Sequence, residues 1–444
     1  MKVPLDWSTP DGETISLAVV RHKPTGRSQG SLFMNPGGPG QAAIDYVGRT
    51  DYRDYFFGKQ LQQHYTLIAF DTRGVGRSRP AVRCLDAAGM DDFLYRLPTA
   101  TPGSAAYIQE SRSQLKAFGE ACERKTGALL AHMDSMSTVR DMDVLRAISG
   151  DARLNYLGYS YGTKLGALYA QTFPDRVGRF VLDGAVNPAL GDLASTLGQA
   201  RGFDQATKRY LSWCLSQSNC PLNGKVAAAG KQLHRLIAAR QKHPLRVSDG
   251  RWLGVSAAVT GVSQAMYSKD LWPRLTTALR QLRRGNPNPL MRLADEYNGR
   301  SANGTYESNT TEAFYATSCL DSPVENADTS AAQRSLRKAG GILGDFWADG
   351  TSMCDGWPIS ATGRPGRIRA AGAAPIMVVG TTHDPATPYS WAQALAKQLQ
   401  SGFLVTNEGD GHTAYSTAAS RCLRDAVEGF LVQGTKPATG LRCR

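Results

Sequence analysis

One five-residue stretch, Gly158-Tyr159-Ser160-Tyr161-Gly162, has the G-x-S-x-G spacing of a nucleophile elbow. A serine hydroxyl attacks poorly until a neighbouring base takes its proton, so the chemistry open to Ser160 is acyl transfer through a covalent intermediate. Strand-type residues end at Gly158 and helix-type residues start at Tyr161, the context that the motif requires. In such a turn the serine is strained into the open, and side chains in place of the glycines would collide with the adjoining strand and helix. The N–H of Tyr161, opening the helix, is then placed to stabilise an oxyanion. A five-residue pattern also arises by chance, and a serine in a glycine-rich turn is the plain alternative.

A second oxyanion donor is expected from Asn35-Pro36-Gly37-Gly38-Pro39-Gly40, which follows the strand-like run Ser31 to Met34. Gly38 is the first choice for its N–H. A phosphate cradle would need G-x-G-x-x-G spacing or a following Gly-Lys-Ser/Thr, and neither occurs. A plain tight turn is the other alternative.

Enzymes built around such an elbow carry their catalytic groups in the order Ser, then Asp or Glu, then His, the last two beyond late strands. Asp384 follows the apolar run Pro375 to Gly380, in a loop stiffened by Pro385 and Pro388. His412 lies in Gly409-Asp410-Gly411-His412-Thr413, past the last strand-like run. His22, His64, His132, His234 and His243 fall in helix-like, loop or early strand sequence. His383 is the rival base, but it stands where the acid belongs. Asp410 is the rival acid, but a carboxylate two residues from the histidine is poorly placed to reach its ring. His412 would take the Ser160 proton and return it to the leaving group, and Asp384 would fix the imidazole tautomer. This chemistry calls for no cofactor and no metal.

The elements that must hold these groups alternate. Strand-like runs occur at Ile15 to Val20, Ser31 to Met34, Tyr65 to Phe70, Leu154 to Gly158 and Arg179 to Leu182. Helical patterns lie between them, at Ser104 to Lys125 and at Thr138 to Ile148, where Thr138 and Asp141 have capping-box spacing. Residues 190–369 carry helical patterns without a strand series; strands resume at Pro375 to Val379 and Phe403 to Thr406, before a helix over Ala414 to Val432. The pattern predicts an α/β-hydrolase fold, a mostly parallel central sheet flanked by helices. Its core would be 1–189 and 370–444, interrupted by a mainly helical lid at 190–369.

Composition bounds the partners. A 41% hydrophobic, 20% charged chain of 444 residues is ordinary globular sequence with room for a core and an insertion. The formal charge is +13, yet the densest basic stretches, Arg280 to Arg284 and Arg364 to Arg369, are short and lack interleaved aromatics. A solvated basic surface is therefore expected rather than a nucleic-acid or anionic-lipid partner. No apolar run reaches the roughly 18 residues of a membrane span. Met1 to Asp6 has no apolar signal-peptide core, so any export signal is expected to have been removed or never to have existed. The eight cysteines, Cys84, Cys122, Cys214, Cys220, Cys319, Cys354, Cys422 and Cys443, are even in number, with no CxxC and no histidine pair nearby, which argues against zinc. Paired in sequence they would close four local loops, each worth roughly 2 to 4 kcal/mol, in an oxidising compartment. Eight reduced thiols in a cytosolic enzyme is the alternative.

Several segments together resemble the secreted tripeptidyl aminopeptidases of actinomycetes and their relatives with a TAP-like C-terminal region. They are Val3-Pro4-Leu5-Asp6-Trp7, Asn35 to Gly40, Asp71-Thr72-Arg73-Gly74-Val75-Gly76-Arg77-Ser78, Gly158 to Thr163, Ala316-Thr317-Ser318-Cys319-Leu320-Asp321, Asp384 to Pro388 and Gly411-His412-Thr413. The resemblance spans nearly the whole chain, and several segments are shared with the proline-iminopeptidase group. It implies a secreted serine exopeptidase that releases short pieces, commonly tripeptides, from a free peptide N-terminus. It also favours disulfides, a trimmed mature chain, and a supporting role for Thr387 in the acid loop. An aminopeptidase must recognise an ammonium group, for which a carboxylate of the insertion is the physical means. Glu296, Glu312, Asp321 and Glu325 are candidates, with Glu312 and Asp321 leading. The same triad would serve an esterase, an amidase or a proline-iminopeptidase-like hydrolase, and a catalytically silent binding protein is the reading from another class.

Overall fold

Ser31–Asn35 is buried at every position, as a strand covered on both faces must be, and it lies at the heart of the computed structural model, which describes residues 1–324, 329–348 and 352–444. The main sheet contains β1 (Val19–His22), β2 (Ser31–Asn35), β3 (Thr66–Phe70), β4 (Leu154–Tyr159), β5 (Val177–Asp183), β6 (Ile376–His383), β7 (Gly402–Asp410) and β8 (Arg442–Cys443). Their order across the sheet is β8-β7-β6-β5-β4-β2-β3-β1. Only β1 runs antiparallel to its neighbour. Successive side chains of a strand face opposite sides. Accordingly Phe33 and Val378 enter one apolar cluster, while Leu32, Met34, Met377 and Val379 enter the other. This is an α/β-hydrolase sheet, as the alternation of elements predicts.

The helices used below are α1 (Ala105–Thr126), α2 (Ser135–Ile148), α3 (Tyr161–Thr172), α4 (Asp192–Leu215), α5 (Val255–Met266), α6 (Asn288–Asn298), α7 (Thr310–Asp321) and α8 (Arg421–Gln433). Helices dominate between β5 and β6, apart from a hairpin of Leu245–Arg246 with Trp252–Leu253. Most of these helices close over an apolar cluster of their own, containing Phe203, Tyr210, Leu275 and Leu290. Helix α7 is different: its Ala313, Ala316 and Leu320 pack into the cluster on the sheet. No helix among the described residues is long and apolar enough to cross a membrane.

Several element boundaries depart from the sequence reading. The run Ile15 to Val20 divides: Thr14–Ser16 pairs with Lys2–Pro4 in a separate ribbon, and β1 begins at Val19. Helix α2 starts a turn earlier than Thr138, capped by Asp134, whose side chain accepts from Ser137 N. Asp141 is thus no capping residue. It is fully buried and paired with Arg73, which also donates to the carbonyls of Pro4, Leu5 and His132. Trp7 Nε1 donates to the same carboxylate, so two of the segments that carry the resemblance, those of Trp7 and Arg73, meet at one buried carboxylate. Helix α8 starts at Arg421 rather than Ala414, because the N–H groups of Ala414 and Tyr415 have another acceptor, Asp183. Four disulfides join Cys84 to Cys122, Cys214 to Cys220, Cys319 to Cys354 and Cys422 to Cys443, the sequential pairing.

Candidate active site

Parallel strands place their carboxyl ends, and the loops beyond them, along one edge. The registers align Asn35 with Gly158, Tyr159 with Asp183, and His383 with Asp410, so the loops carrying the expected groups leave from that edge. Between β4 and α3, Ser160 has φ 52° and ψ −123°, a left-handed conformation that costs a non-glycine residue about 1 to 3 kcal/mol. Its N–H donates to Asp183 O at 2.9 Å, and its carbonyl accepts from Thr163 N at 2.9 Å and Thr163 Oγ1 at 2.6 Å. A Cβ on Gly158 would stand 2.7 Å from Gly162 O, and one on Gly162 would stand 2.7 Å from Asn35 O. The elbow closes only with glycine at both positions. The spacing alone is not unique, since Gly26-Arg27-Ser28-Gln29-Gly30 repeats it. Ser28, however, lies in an exposed loop before β2, at the amino end of a strand, with its hydroxyl donating to Gly30 O.

Across from the elbow, a Cβ on Gly37 would meet Ser160 Cβ at 2.9 Å and Tyr161 N at 3.1 Å, so this loop lies directly against the nucleophile. The Gly37 N–H donates to Asn35 Oδ1 at 3.0 Å. The Gly38 N–H has no hydrogen-bond acceptor among the described residues, and Tyr161, the first residue of α3, has no intrahelical one. Both N–H groups are thus left without a protein acceptor, Tyr161 next in sequence to Ser160 and Gly38 on the loop whose Gly37 lies against it.

His412 Nδ1 lies 2.9 Å from both Asp384 oxygens. The Asp384 side chain is wholly buried and accepts from Ala386 N, Thr387 N, Thr387 Oγ1 and Thr413 N at 2.8 to 3.1 Å. A carboxylate at Nδ1 keeps the proton there and leaves Nε2 with its lone pair free to act as a base. Burial disfavours the charged ring, but the charge and hydrogen bond of Asp384, with the charge of Asp183, hold His412 above the ordinary histidine pKa. No hydrogen bond joins Ser160 Oγ to His412 among the described residues. The two rivals are engaged elsewhere. His383 Nδ1 is 2.9 Å from Gly409 O, and Asp410 is gripped by Arg209 of α4.

Thr387 bonds the acid and stands 3.3 Å from His412 Nδ1, beside both groups. Glu312 and Asp321 have internal partners of their own. Glu312 accepts from Cys84 N and Leu85 N, and burial pushes its carboxyl above the usual range. Asp321 accepts from Ser135 N and Ser135 Oγ and pairs with Lys164 at 2.7 Å. Glu296 pairs with Arg274, and Glu325 lies outside the described residues.

Three contributors escape sequence reading. Gly202 of α4 lies so close to the acid loop that a Cβ would stand 2.4 Å from Pro385 O. Tyr267, ending α5, accepts the His412 N–H through its carbonyl at 2.8 Å and sets its ring edge-on to the imidazole, centroids 5.4 Å apart. Asp183 is the third. A small residue on an apolar helix face is the only hint of Gly202, and a carbonyl has no sequence signal. A cavity of about 590 Å³ between α1 and the inserted helices, and another of about 500 Å³ beside Arg209 and Asp410, contain none of Ser160, Asp384 and His412.

Residues 340–443 match the model of the family described as TAP-like protein. Over 459 residues the chain is 36% identical to serine protease Hip1 of Mycobacterium tuberculosis, covering 100% of this chain and 86% of that protein. It is 38% identical over 452 residues to carboxylesterase B of the same organism, covering 100% and 85%. To the tripeptidyl aminopeptidase of Streptomyces lividans it is 29% identical over 453 residues, covering 99% and 82%. The chain therefore belongs to the family of serine protease Hip1, with an α/β-hydrolase sheet and a TAP-like region over residues 340–443.

Proposed function

We propose that this chain is a serine exopeptidase that hydrolyses peptides from a free N-terminus, by way of an acyl-enzyme on Ser160. The observation that carries the reading is the buried Asp384–His412 pair, on the same sheet edge as a serine held at positive φ. In this scheme His412 accepts the Ser160 proton as the hydroxyl attacks the scissile carbonyl. The Gly38 and Tyr161 N–H groups stabilise the oxyanion, and His412 returns the proton to the leaving amine. Water then repeats the cycle on the ester. Residues 190–369 act as a lid that limits how much peptide enters. Release of tripeptides in particular is favoured by the tripeptidyl aminopeptidase relative. Four disulfides support work outside a reducing cytosol. Glu312 receives both amides on Oε1, which leaves Oε2 for a substrate ammonium, whereas Asp321 would share its charge with Lys164; Glu312→Gln or Asp321→Asn should raise KM, according to which carboxylate holds the amine.

The relative named carboxylesterase B favours a second reading, an esterase on the same three groups. Hydrolysis of a chromogenic tripeptide anilide, its N-acetylated twin and a short-chain ester, by wild type and Ser160→Ala, separates the two. The exopeptidase reading expects the free anilide to be cleaved far faster than the acetylated one. Equal rates, or turnover of the ester alone, would sink it.

A further inference from the structure

Asp183, the last residue of β5, lies between the nucleophile and the base. Its main-chain carbonyl receives the Ser160 N–H at 2.9 Å. Its carboxylate, fully buried, receives Ala414 N at 2.9 and 3.1 Å and Tyr415 N at 2.7 Å. Those two amides follow His412 and Thr413 directly. The next residue, Gly184, lies beneath the ring, since a Cβ on it would stand 3.3 Å from His412 Cε1 and 2.9 Å from Thr413 Cγ2. One residue thus ties the elbow, through its backbone, to the histidine loop, through its side chain.

Among the described residues no Lys or Arg is bonded to this buried carboxylate, so its charge is costly to keep. An asparagine could accept from the same two amides, but it would bring a buried NH2 group in need of an acceptor. The groups that face Asp183 are Asp384, beyond β6; His412, beyond β7; and the phenol of Tyr159, ending β4. Burial pushes the Asp183 carboxyl up to about 6; the two amides and His412 oppose this and Asp384 adds to it. Of these neighbours only His412 gains a positive charge during the proposed reaction.

We propose that Asp183 is a positioning residue: it locks the His412 loop to the nucleophile turn and supplies a second negative charge behind the imidazole as it becomes protonated. The proposal rests on the Ser160–His412 reading. It completes a chain of contacts that runs from Ser160 N through Asp183 to the residues carrying the base. Loss of the lock lets His412 drift from Ser160, and a misplacement of about 1 Å costs on the order of 10²-fold in rate.

The test is kinetic. Asp183→Asn keeps an acceptor for the amides and removes the charge; Asp183→Ala removes both. Asp183→Asn should lower kcat about tenfold with KM unchanged, and should move the acid limb of kcat/KM to lower pH, because a negative neighbour raises the His412 pKa. Asp183→Ala should lower kcat by about 10². A residue that merely holds the fold would leave that limb in place, so an unmoved limb, or wild-type kcat in Asp183→Asn, overturns the proposal. Ser160→Ala in the same assay separates failures: undiminished turnover there would remove the reading beneath. If neither variant folds, hydrogen exchange in the wild-type enzyme decides. The Ala414 and Tyr415 amides should be strongly protected, and exchange as fast as in the exposed segment 438–440 would overturn the lock.

Discussion

The proposed nucleophile and its proposed partners share one sheet edge but are held there by different means. Ser160 is fixed mainly by its own turn, through a positive φ, two glycines without room for a Cβ and Thr163 closing on its carbonyl, with one bond from outside, its N–H to Asp183 O. Asp384 and His412 lie on loops whose shape comes from distant residues, Asp183 beneath, Gly202 and Tyr267 on the inserted helices. The inserted helices therefore contact the loops of Asp384 and His412 directly, through Gly202 and Tyr267. The contrast has a consequence for variants: changes near Ser160 act through the chemistry of one atom, whereas changes in the helices act on the acid and base from outside.

The largest effect belongs to the locally held side. Ser160→Ala should cut kcat by about 10⁶, leaving what binding and the oxyanion donors supply. A steady-state assay with an active-site titration checks this, and a loss below tenfold would break the comparison at its root. Asp384→Asn comes next, at about 10⁴, since the imidazole would then favour the wrong tautomer. Its pH profile sharpens the point. Protonated His412 cannot take the serine proton, so kcat/KM falls as pH drops through the His412 pKa. Asp384 and Asp183 raise that pKa, which sets the acid limb above the range of an ordinary histidine. Asp384→Asn should shift the limb downward, and an unmoved limb would assign it to another group.

Gly202→Val tests the distant support alone. Its side chain would press on Pro385 O, where even a Cβ stands at 2.4 Å, and 3.2 Å from Asp384 O. Overpacking of this kind costs about 1 to 3 kcal/mol of stability, and displacement of the acid should lower kcat by about 10². Thermal melts with kinetics at a temperature where the variant is folded distinguish the two. Wild-type kcat in a destabilised variant would mean that the acid loop keeps its shape without α4.

Legibility in the sequence follows the same division. The elbow can be read because G-x-S-x-G encodes its geometry in adjacent residues, and the disulfides because local pairing of an even set closes short loops. His412 and Asp384 are found by chain order, with geometry choosing Asp384 over Asp410. The supports are hidden for physical reasons. Tyr267 acts through a carbonyl that any residue would present, and Gly202 by lacking a side chain. Asp183 looks like the start of a turn before Gly184. That same residue explains the misread helix: Ala414 to Val432 has helical periodicity, yet the Ala414 and Tyr415 amides bind a carboxylate far back in the chain. The capping-box reading of Asp141 fails alike, because its partner Arg73 lies on another loop.

The smallest effect is expected at Arg209, whose guanidinium grips Asp410, two residues before the base. The pair spans α4 and the histidine loop, as Gly202 spans α4 and the acid loop, so it looks equally able to buttress the site. It differs in exposure: the Arg209 side chain is 44% exposed, and its Asp410 partner 8%. Water and salt screen such a pair, which holds it to about 0 to 1 kcal/mol. The His412 backbone is held independently, by its bond to Tyr267 O. Arg209→Ala should therefore lower kcat less than tenfold, with a loss that shrinks further as salt is added to the wild-type assay. A loss as large as that of Gly202→Val would move the buttress from main-chain packing to an ion pair, making the acid–base side the part of the enzyme most sensitive to ionic strength.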